Sequence, residues 1–180
     1  NMHVSSCLWS GALTDDLDMD DAARAQHHQN RSAHYRRILD DGAIYAQPFS
    51  EGGAAASGAV AFGTTARRVE AGWQVNGKKI FASLAGSADY YGALCTELLN
   101  DDDRPSRRNT LYLAIPAAAD GVQVTGDWDP MGMRATVSRT LVFEDVFVPD
   151  GSELMPRGIY YQAASQWPHM FLTLSPAYLG

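Results

Sequence analysis

Residues 72–83 read Gly72-Trp73-Gln74-Val75-Asn76-Gly77-Lys78-Lys79-Ile80-Phe81-Ala82-Ser83. Trp, Val, Ile and Phe are common in strands, so the stretch is typical of β structure. Asn76-Gly77 within it is a frequent pair in type I′ turns, where both central positions need positive φ. The pair predicts a hairpin in which Val75 faces Lys78. We therefore expect antiparallel β structure that leads into an aromatic residue and a hydroxyl, Phe81 and Ser83.

An earlier stretch has a similar character and adds a glycine-rich loop. Residues 46–58 read Ala46-Gln47-Pro48-Phe49-Ser50-Glu51-Gly52-Gly53-Ala54-Ala55-Ala56-Ser57-Gly58. The loop 52–58 has almost no side-chain bulk, so its amides can approach an anion closely. Ser50 and Ser83 each lie just after an aromatic residue, where their hydroxyls and amides could hold the polar edge of a flat ring. These features predict a flavin site. The alternative from the residues alone is an ordinary turn with surface serines.

Composition limits the class of protein. A chain of 180 residues is long enough for one well-packed domain, and its 46% hydrophobic content is ordinary for such a domain. The net charge of −7 argues against nucleic-acid or anionic-membrane partners, which need a basic face. Cys7 and Cys95 are too few for a disulfide framework or a zinc site. We expect no metal site, no membrane span and a reducing cytoplasm.

Three regions differ in pattern. Residues 1–42 predict helical structure, including a helix over Ala22–Leu39 that is closed by Gly42. Residues 43–150 predict an antiparallel β-barrel or sandwich, and residues 151–180 turn helical again from Ile159. The fold class is mainly β with helical flanks, α+β overall. Because both ends fall inside apolar or helical patterns, we expect a fragment of a larger α–β–α chain. The predicted strands are Ile44–Phe49, Thr64–Val69, Trp73–Phe81, Tyr90–Cys95, Leu111–Ile115, Val122–Val124 and Thr140–Val148.

The order of three short motifs adds to this interpretation. Ser50-Glu51-Gly52-Gly53 with Ser57-Gly58 is followed by Asn76-Gly77-Lys78-Lys79-Ile80-Phe81-Ala82-Ser83. Met131-Gly132-Met133-Arg134-Ala135-Thr136 then leads to Phe143-Glu144-Asp145-Val146-Phe147-Val148-Pro149. In this order and spacing, residues 46–149 resemble the middle β domain of the acyl-CoA dehydrogenase family. Each motif alone is weak, and together they are strong.

The resemblance implies an FAD-dependent oxidoreductase that dehydrogenates the Cα–Cβ bond of an acyl-CoA in fatty acid metabolism. It implies that residues 1–42 end an N-terminal helical domain, 43–150 bind flavin and 151–180 open a C-terminal bundle. It also implies a homo-oligomer, a tetramer or a dimer, and an electron-transfer flavoprotein as possible acceptor. The family's catalytic glutamate has no counterpart, because residues 154–180 contain no Asp or Glu, so we assign no catalytic residue. The implied cofactor-binding residues are Gln47, Phe49, Ser50, Phe81, Ala82 and Ser83, with Ser57 near the pyrophosphate and the acyl-CoA entrance.

Departures from the family pattern leave two alternatives open. Gly52 replaces the usual proline, Gly58 an aspartate and Phe81 the common tryptophan, so the ring wall lacks an indole donor. A flavin-dependent monooxygenase of the same architecture is the first alternative. The second is a non-catalytic β-barrel binding module with helical flanks.

Other polar residues receive structural interpretations. His27 and His34 share one helix face without the further ligands of a metal site, so we expect a solvated helix surface. Arg134 is expected to form a structural ion pair. Glu51 is expected to fix the turn that follows Ser50, since an acid would repel a phosphate tail.

Overall fold

The computed structural model describes residues 19–53, 61–100 and 106–166, with side chains to residue 162. Ser57, predicted to contact substrate, lies outside these residues, as does Gly58. Two short 3₁₀ turns occupy Arg107–Asn109 and Arg134–Thr136. The helices and strands are α1 (Asp21–Leu39), β1 (Tyr45–Ala46), β2 (Thr65–Val69), β3 (Gly72–Ala82), β4 (Tyr90–Leu98), β5 (Thr110–Pro116), β6 (Val122–Thr125), β7 (Arg139–Pro149), β8 (Glu153–Met155) and α2 (Ile159–Gln166).

The described strands form one mixed sheet. Its order is β6-β7-β3-β2-β4-β5-β8, and β1 also pairs with β4. Both β1 and β2 run parallel to β4, while the other pairs are antiparallel. The prediction of a mainly β fold with few helices is confirmed.

Strands β4 and β5 carry a hydrophobic core on each face. Successive side chains of a strand point to opposite faces. Ala93 and Cys95 accordingly join one core, which also contains Phe143 of β7, whereas Leu94 and Tyr112 join the other. Because β7 and β4 are three places apart in the sheet order yet share the first core, the sheet folds over on itself around it. The second core lies beneath α2, which contributes Ile159 and Tyr160.

Helix α1 packs a polar face against the sheet. Asp20 caps its start by accepting a hydrogen bond from the amide of Ala23 at 2.8 Å. His27 and His34 are 4% and 0% exposed, so the expected solvated surface is wrong for them. His34 Nδ1 lies 2.9 Å from the hydroxyl of Tyr45. Burial, followed by the charge of Arg37, lowers the pKa of His34 to about 4.

The hairpin predicted at Asn76-Gly77 is also wrong. Strand β3 runs straight through this pair, and the turn from β2 lies where Val69 pairs with Gly72. The amide side chain of Asn76 instead donates to Asp145 Oδ1 and accepts from the Asp145 amide, both at 2.9 Å. A Cβ at Gly77 would lie 2.6 Å from Thr64 Cα. Glycine is required here because the backbone of Thr64 approaches it closely. In the sequence, such a glycine after an asparagine looks the same as one in a turn.

Candidate functional site

The two stretches predicted to bind flavin meet along β3. The amide of Ile80 donates to the carbonyl of Ser50 at 2.7 Å. Ser50 therefore lies beside the strand that leads into Ser83, three residues further along. This contact brings the two predicted segments to the same end of the strand.

A buried ion pair anchors the first stretch. Lys79 Nζ, with a fully buried side chain, lies 2.7 Å from Glu51 Oε1 and donates to the Leu94 carbonyl at 2.6 Å. Glu51 also accepts hydrogen bonds from both the amide and the hydroxyl of Thr64, at 3.0 and 2.6 Å. Burial acts to raise the pKa of Glu51, but the charge of Lys79 and these hydrogen bonds hold it below its ordinary value. Glu51 thus fixes the ends of the loop, as expected.

The glycine that replaces the family's proline has a left-handed backbone. Gly52 has φ +81°, and a Cβ there would lie 3.3 Å from Ile80 Cδ1. Proline is restricted to φ near −65°, so it cannot adopt this conformation. The glycine at position 52 therefore allows a backbone conformation that a proline at this position would not.

A bulge at the end of β3 turns Phe81 outward. Lys79 pairs with Leu141 and Ala82 with Arg139, so β3 carries one residue more than β7 across this interval. Phe81 has φ +52° and is 63% exposed, while Ala82 is buried. Such bulges redirect side chains and are common beside active sites. The Phe81 ring is thus available as a wall for a flat ligand.

The ring of Trp128 lies near Phe81, and two methionines follow Trp128 in the same segment. The Trp128 ring lies edge-on to Phe81, with centroids 6.3 Å apart, and its indole N–H donates to the Met133 carbonyl at 3.1 Å. Met131 and Met133 are exposed. Arg134 forms the expected ion pair, with Asp129 at 2.6 Å. We call the side chains of Phe81, Trp128, Met131 and Met133 the aromatic ledge.

Hydroxyl groups join the end of β3 to the segment that precedes β7. Ser83 Oγ lies 2.8 Å from Ser138 Oγ, which lies 2.7 Å from Thr136 Oγ1. The amide of Leu84 donates to the Thr136 carbonyl at 3.1 Å. Neither Ser138 nor Trp128 was predicted from the sequence. The pairing of Ala82 with Arg139 is what places Ser138 beside Ser83, and no sequence motif reports that register.

Strained backbone is concentrated in the same place. Phe81, Leu84, Met133 and Val137 all have φ between +46° and +66°, and only Ala71 and Asp145 share this conformation among the other described non-glycine residues. Each such residue costs roughly 1–3 kcal/mol, and such strain is concentrated at functional sites. The combination of strain, the exposed Phe81 ring and the hydroxyls marks this surface as the candidate site.

Two predicted residues face elsewhere. The side-chain amide of Gln47 donates to the Tyr112 hydroxyl at 2.8 Å. The ring of Phe49 packs near those of Tyr112 and Tyr160, with centroids 6.1 and 6.4 Å away. Phe49 therefore packs against the second core and Gln47 bonds to its Tyr112, so only their backbone groups could serve a ligand beside Ser50.

A cavity of about 500 Å³ lies elsewhere. It separates α1 from the sheet, and none of the predicted flavin residues lines it. Its polar groups are largely paired with one another, since Glu153 accepts from the Trp73 indole at 2.8 Å and from the Asn30 amide at 3.2 Å. Within residues 19–53, 61–100 and 106–166, no three His, Cys, Asp or Glu side chains are grouped to hold a metal. Nor do these ranges include a helix long and apolar enough to cross a membrane.

The chain belongs to the acyl-CoA dehydrogenase family, because residues 46–146 match the family's middle domain. It is 33% identical over 100 residues, 53% of this chain and 24% of the relative, to YdbM of Bacillus subtilis (strain 168), which is named provisionally as an acyl-CoA dehydrogenase. It is 34% identical over 84 residues, 47% of this chain and 19% of the relative, to the oxygenase component of an FADH2-dependent resorcinol hydroxylase from Rhizobium sp. (strain MTP-10005).

A solved structure agrees on the fold. The complex of TdsC from Paenibacillus sp. A11-2 with FMN and indole matches 90% of this chain and 34% of its own, with a TM-score of 0.66 and 20% identity. The chain thus spans about a quarter or less of the two curated relatives and about a third of this structure. The family is one of flavin enzymes and includes both dehydrogenases and oxygenases.

Proposed function

We propose that the aromatic ledge and the adjoining serines bind FAD. Phe81 would pack against one face of the isoalloxazine ring, with its polar edge toward the hydroxyl of Ser83 and the backbone of Ser50. The observation that carries the proposal is the contact between Ile80 and Ser50, which brings both predicted segments to the end of β3. The family relationship supports a flavin, since one relative is FADH2-dependent and the TdsC structure contains FMN.

The residues present fit such a ring. The exposed side chains of Phe81, Met131 and Met133 carry a solvation cost that a flat apolar face would remove. Ala82 is buried and would contribute only backbone groups, as would Gln47 and Phe49. The small residues after Gly52 would lie near the pyrophosphate. Ser57 remains our prediction for the pyrophosphate and acyl-CoA entrance.

For the reaction, we propose α,β-dehydrogenation of an acyl-CoA thioester. The flavin, when bound, supplies the hydride acceptor. The described residues of this chain hold and orient the ring, and the ledge excludes water from one face. Glu51 is paired with Lys79 and Asp129 with Arg134, and residues 154–180 contain no Asp or Glu. We therefore place the base that removes the α-proton outside this chain, and assign no catalytic residue within it.

Oxygenation is the second candidate reaction. It is favoured by the 34% identity to a resorcinol hydroxylase oxygenase component, a value close to that for YdbM. The replacement of the family's common tryptophan by Phe81 is consistent with it, because the wall then lacks an indole donor.

The proposed oligomeric state, cellular location and electron acceptor follow from the family relationship. We propose a homo-oligomer, a tetramer or a dimer, in the cytoplasm. For a dehydrogenase, an electron-transfer flavoprotein is the proposed acceptor. Residues 1–180 alone are expected to show weak FAD affinity and no turnover, because most of each relative's length lies outside the matched region.

The test is FAD titration of the natural-length protein, stripped of cofactor, followed by flavin fluorescence. Phe81→Ala should weaken FAD binding at least about tenfold, the loss expected for an aromatic wall. Phe147→Ala is the matched control, since Phe147 is an exposed phenylalanine on β7 outside the ledge. A colourless protein that binds no FAD would overturn the proposal and favour the binding module.

The reaction is decided by a second measurement on the same protein. Anaerobic addition of acyl-CoA should bleach the flavin of a dehydrogenase. An oxygenase should instead consume O2 in the presence of reduced FAD and an aromatic substrate, without bleaching by acyl-CoA.

A further inference from the structure

The cavity between α1 and the sheet has the size and the walls of a small-molecule site. Its volume of about 500 Å³ falls within the roughly 300–1,000 Å³ that such sites occupy. Its apolar walls include Trp73 of β3, Leu111 of β5 and Met155 of β8, none of them more than 7% exposed. Trp73 lies at the start of β3 and Phe81 near its end, roughly 25 Å apart along an extended strand. The cavity is therefore distinct from the aromatic ledge.

The two arginines that line the cavity already have carboxylate partners. Arg68 forms an ion pair with Asp150, and its guanidinium lies over the ring of Trp73, 4.9 Å from the ring centroid. Arg157 Nε lies 2.6 Å from Glu97 Oε2. An anionic ligand would have to compete with these carboxylates for the arginines. The lining therefore does not favour an anion.

The carboxylate of Glu153 also lines the cavity, and it is held by neutral groups. Its Oε1 accepts from the indole of Trp73 at 2.8 Å, and its Oε2 accepts from the side-chain amide of Asn30 at 3.2 Å. Among the described residues, Glu153 forms no ion pair with Lys, Arg or His. Each carboxylate oxygen has two lone pairs, so both oxygens keep one for a further donor. The two neutral donors orient the carboxylate without cancelling its charge.

We propose that this cavity binds an amphipathic amine, with its ammonium group on Glu153 and its apolar body against Trp73, Leu111 and Met155. A protonated amine supplies both the positive charge and the N–H donors that the carboxylate lacks. The apolar body removes the walls of the cavity from contact with water. A metal ion fits less well, because the described residues offer no group of three His, Cys, Asp or Glu side chains. The amine site shares no residue with the flavin site proposed above and does not depend on it.

Titration calorimetry of the natural-length protein with phenethylamine tests the proposal. Neutral phenylethanol and anionic phenylpropionate are ligands of similar size without the ammonium group. Phenethylamine should bind with a Kd below about 1 mM, and the other two at least about tenfold more weakly. Glu153→Gln should weaken the binding of phenethylamine at least about tenfold, because it removes the charge that the ammonium group contacts. Glu144→Gln, which removes the same charge from an exposed position on β7, is the matched control and should leave the Kd within about twofold of wild type.

A second pair of variants locates the amine and decides the question if Glu153→Gln does not fold. Ala23 of α1 lines the cavity, whereas Ala22 is exposed. Ala23→Phe should therefore fill the cavity and abolish binding of phenethylamine, and Ala22→Phe should not.

Three results would overturn the proposal. The first is a Kd of phenethylamine above about 1 mM for the wild-type protein. The second is phenylpropionate binding as tightly as phenethylamine, which would assign the cavity to anions through Arg68 and Arg157. The third is an amine that binds elsewhere, shown by equal affinity for Ala23→Phe and wild type or by a loss of affinity in Phe81→Ala. Since Phe81→Ala is expected to leave amine binding unchanged whether or not FAD binds at the ledge, failure of the flavin proposal would not affect this result.

Discussion

Replacing Lys79 by methionine should destabilise the protein strongly, whereas the same change at Lys78 should not. The two lysines are neighbours on β3, but Lys79 is fully buried and Lys78 is exposed. Lys79→Met leaves Glu51 buried without its counter-charge and deprives the Leu94 carbonyl of its donor. Breaking a buried pair by removing one partner costs roughly 3–5 kcal/mol. Glu51 keeps its hydrogen bonds from Thr64, so we expect the lower end, about 3 kcal/mol.

Urea and thermal unfolding at pH 7 measure this difference. For a domain of this size, about 3 kcal/mol corresponds to a fall in Tm of about 6–12 °C. Lys78→Met should stay within about 0.5 kcal/mol of wild type, as exposed substitutions do. The double variant Lys79→Met with Glu51→Gln should be less destabilised than the sum of the single variants, because no unpaired buried charge remains. A loss below about 1 kcal/mol for Lys79→Met would refute the argument.

Two further predictions concern titration and backbone strain. The pKa of His34 is lowered to about 4 in the folded chain, so the unfolded chain binds more protons between about pH 6.5 and 4. Stability should therefore fall by about 3 kcal/mol as pH is lowered through this window. His34→Gln should flatten the profile measured by urea unfolding, and a profile equal to wild type would contradict the assignment. Gly52→Ala should cost about 1–2 kcal/mol, because φ at Gly52 is +81°. Gly53→Ala, whose Cβ would meet none of the described residues within 4 Å, should be neutral, and equal costs at both positions would remove the strain argument.

Most elements of the fold were predictable from local patterns. Every predicted strand except Ile44–Phe49 coincides with an observed strand. Helix α1 begins one residue before its predicted start. The run Ile44–Phe49 yields only the two-residue β1, because its second half leaves the sheet to contact Tyr112 and Tyr160. The three-residue β8 was not predicted. A strand that short depends on its partner β5 rather than on its own composition.

The errors in prediction arise from long-range contacts. Asn76-Gly77 has turn composition, yet Asn76 bonds to Asp145 and Gly77 admits Thr64, both distant in sequence. The polar face of α1 was assigned to solvent because histidines on helices are usually exposed. Its burial depends on Tyr45 and Glu153, whose positions no helical pattern reports.

In the candidate site, the directions of single side chains also depend on contacts between residues that are distant in sequence. Strict alternation along β3 would place Lys79 and Phe81 on the same face, so both would enter the core or both would face solvent. The extra residue opposite β7 breaks this alternation, and Lys79 points inward while Phe81 points outward. One strand can therefore anchor the loop that carries Ser50 and also present an aromatic wall. The sequence motif locates these residues, but the bulge that separates their roles depends on pairing with β7. For that reason the motif could predict a flavin site, whereas the contacts of Ser83 with Ser138 and of Ser138 with Thr136 required the structure.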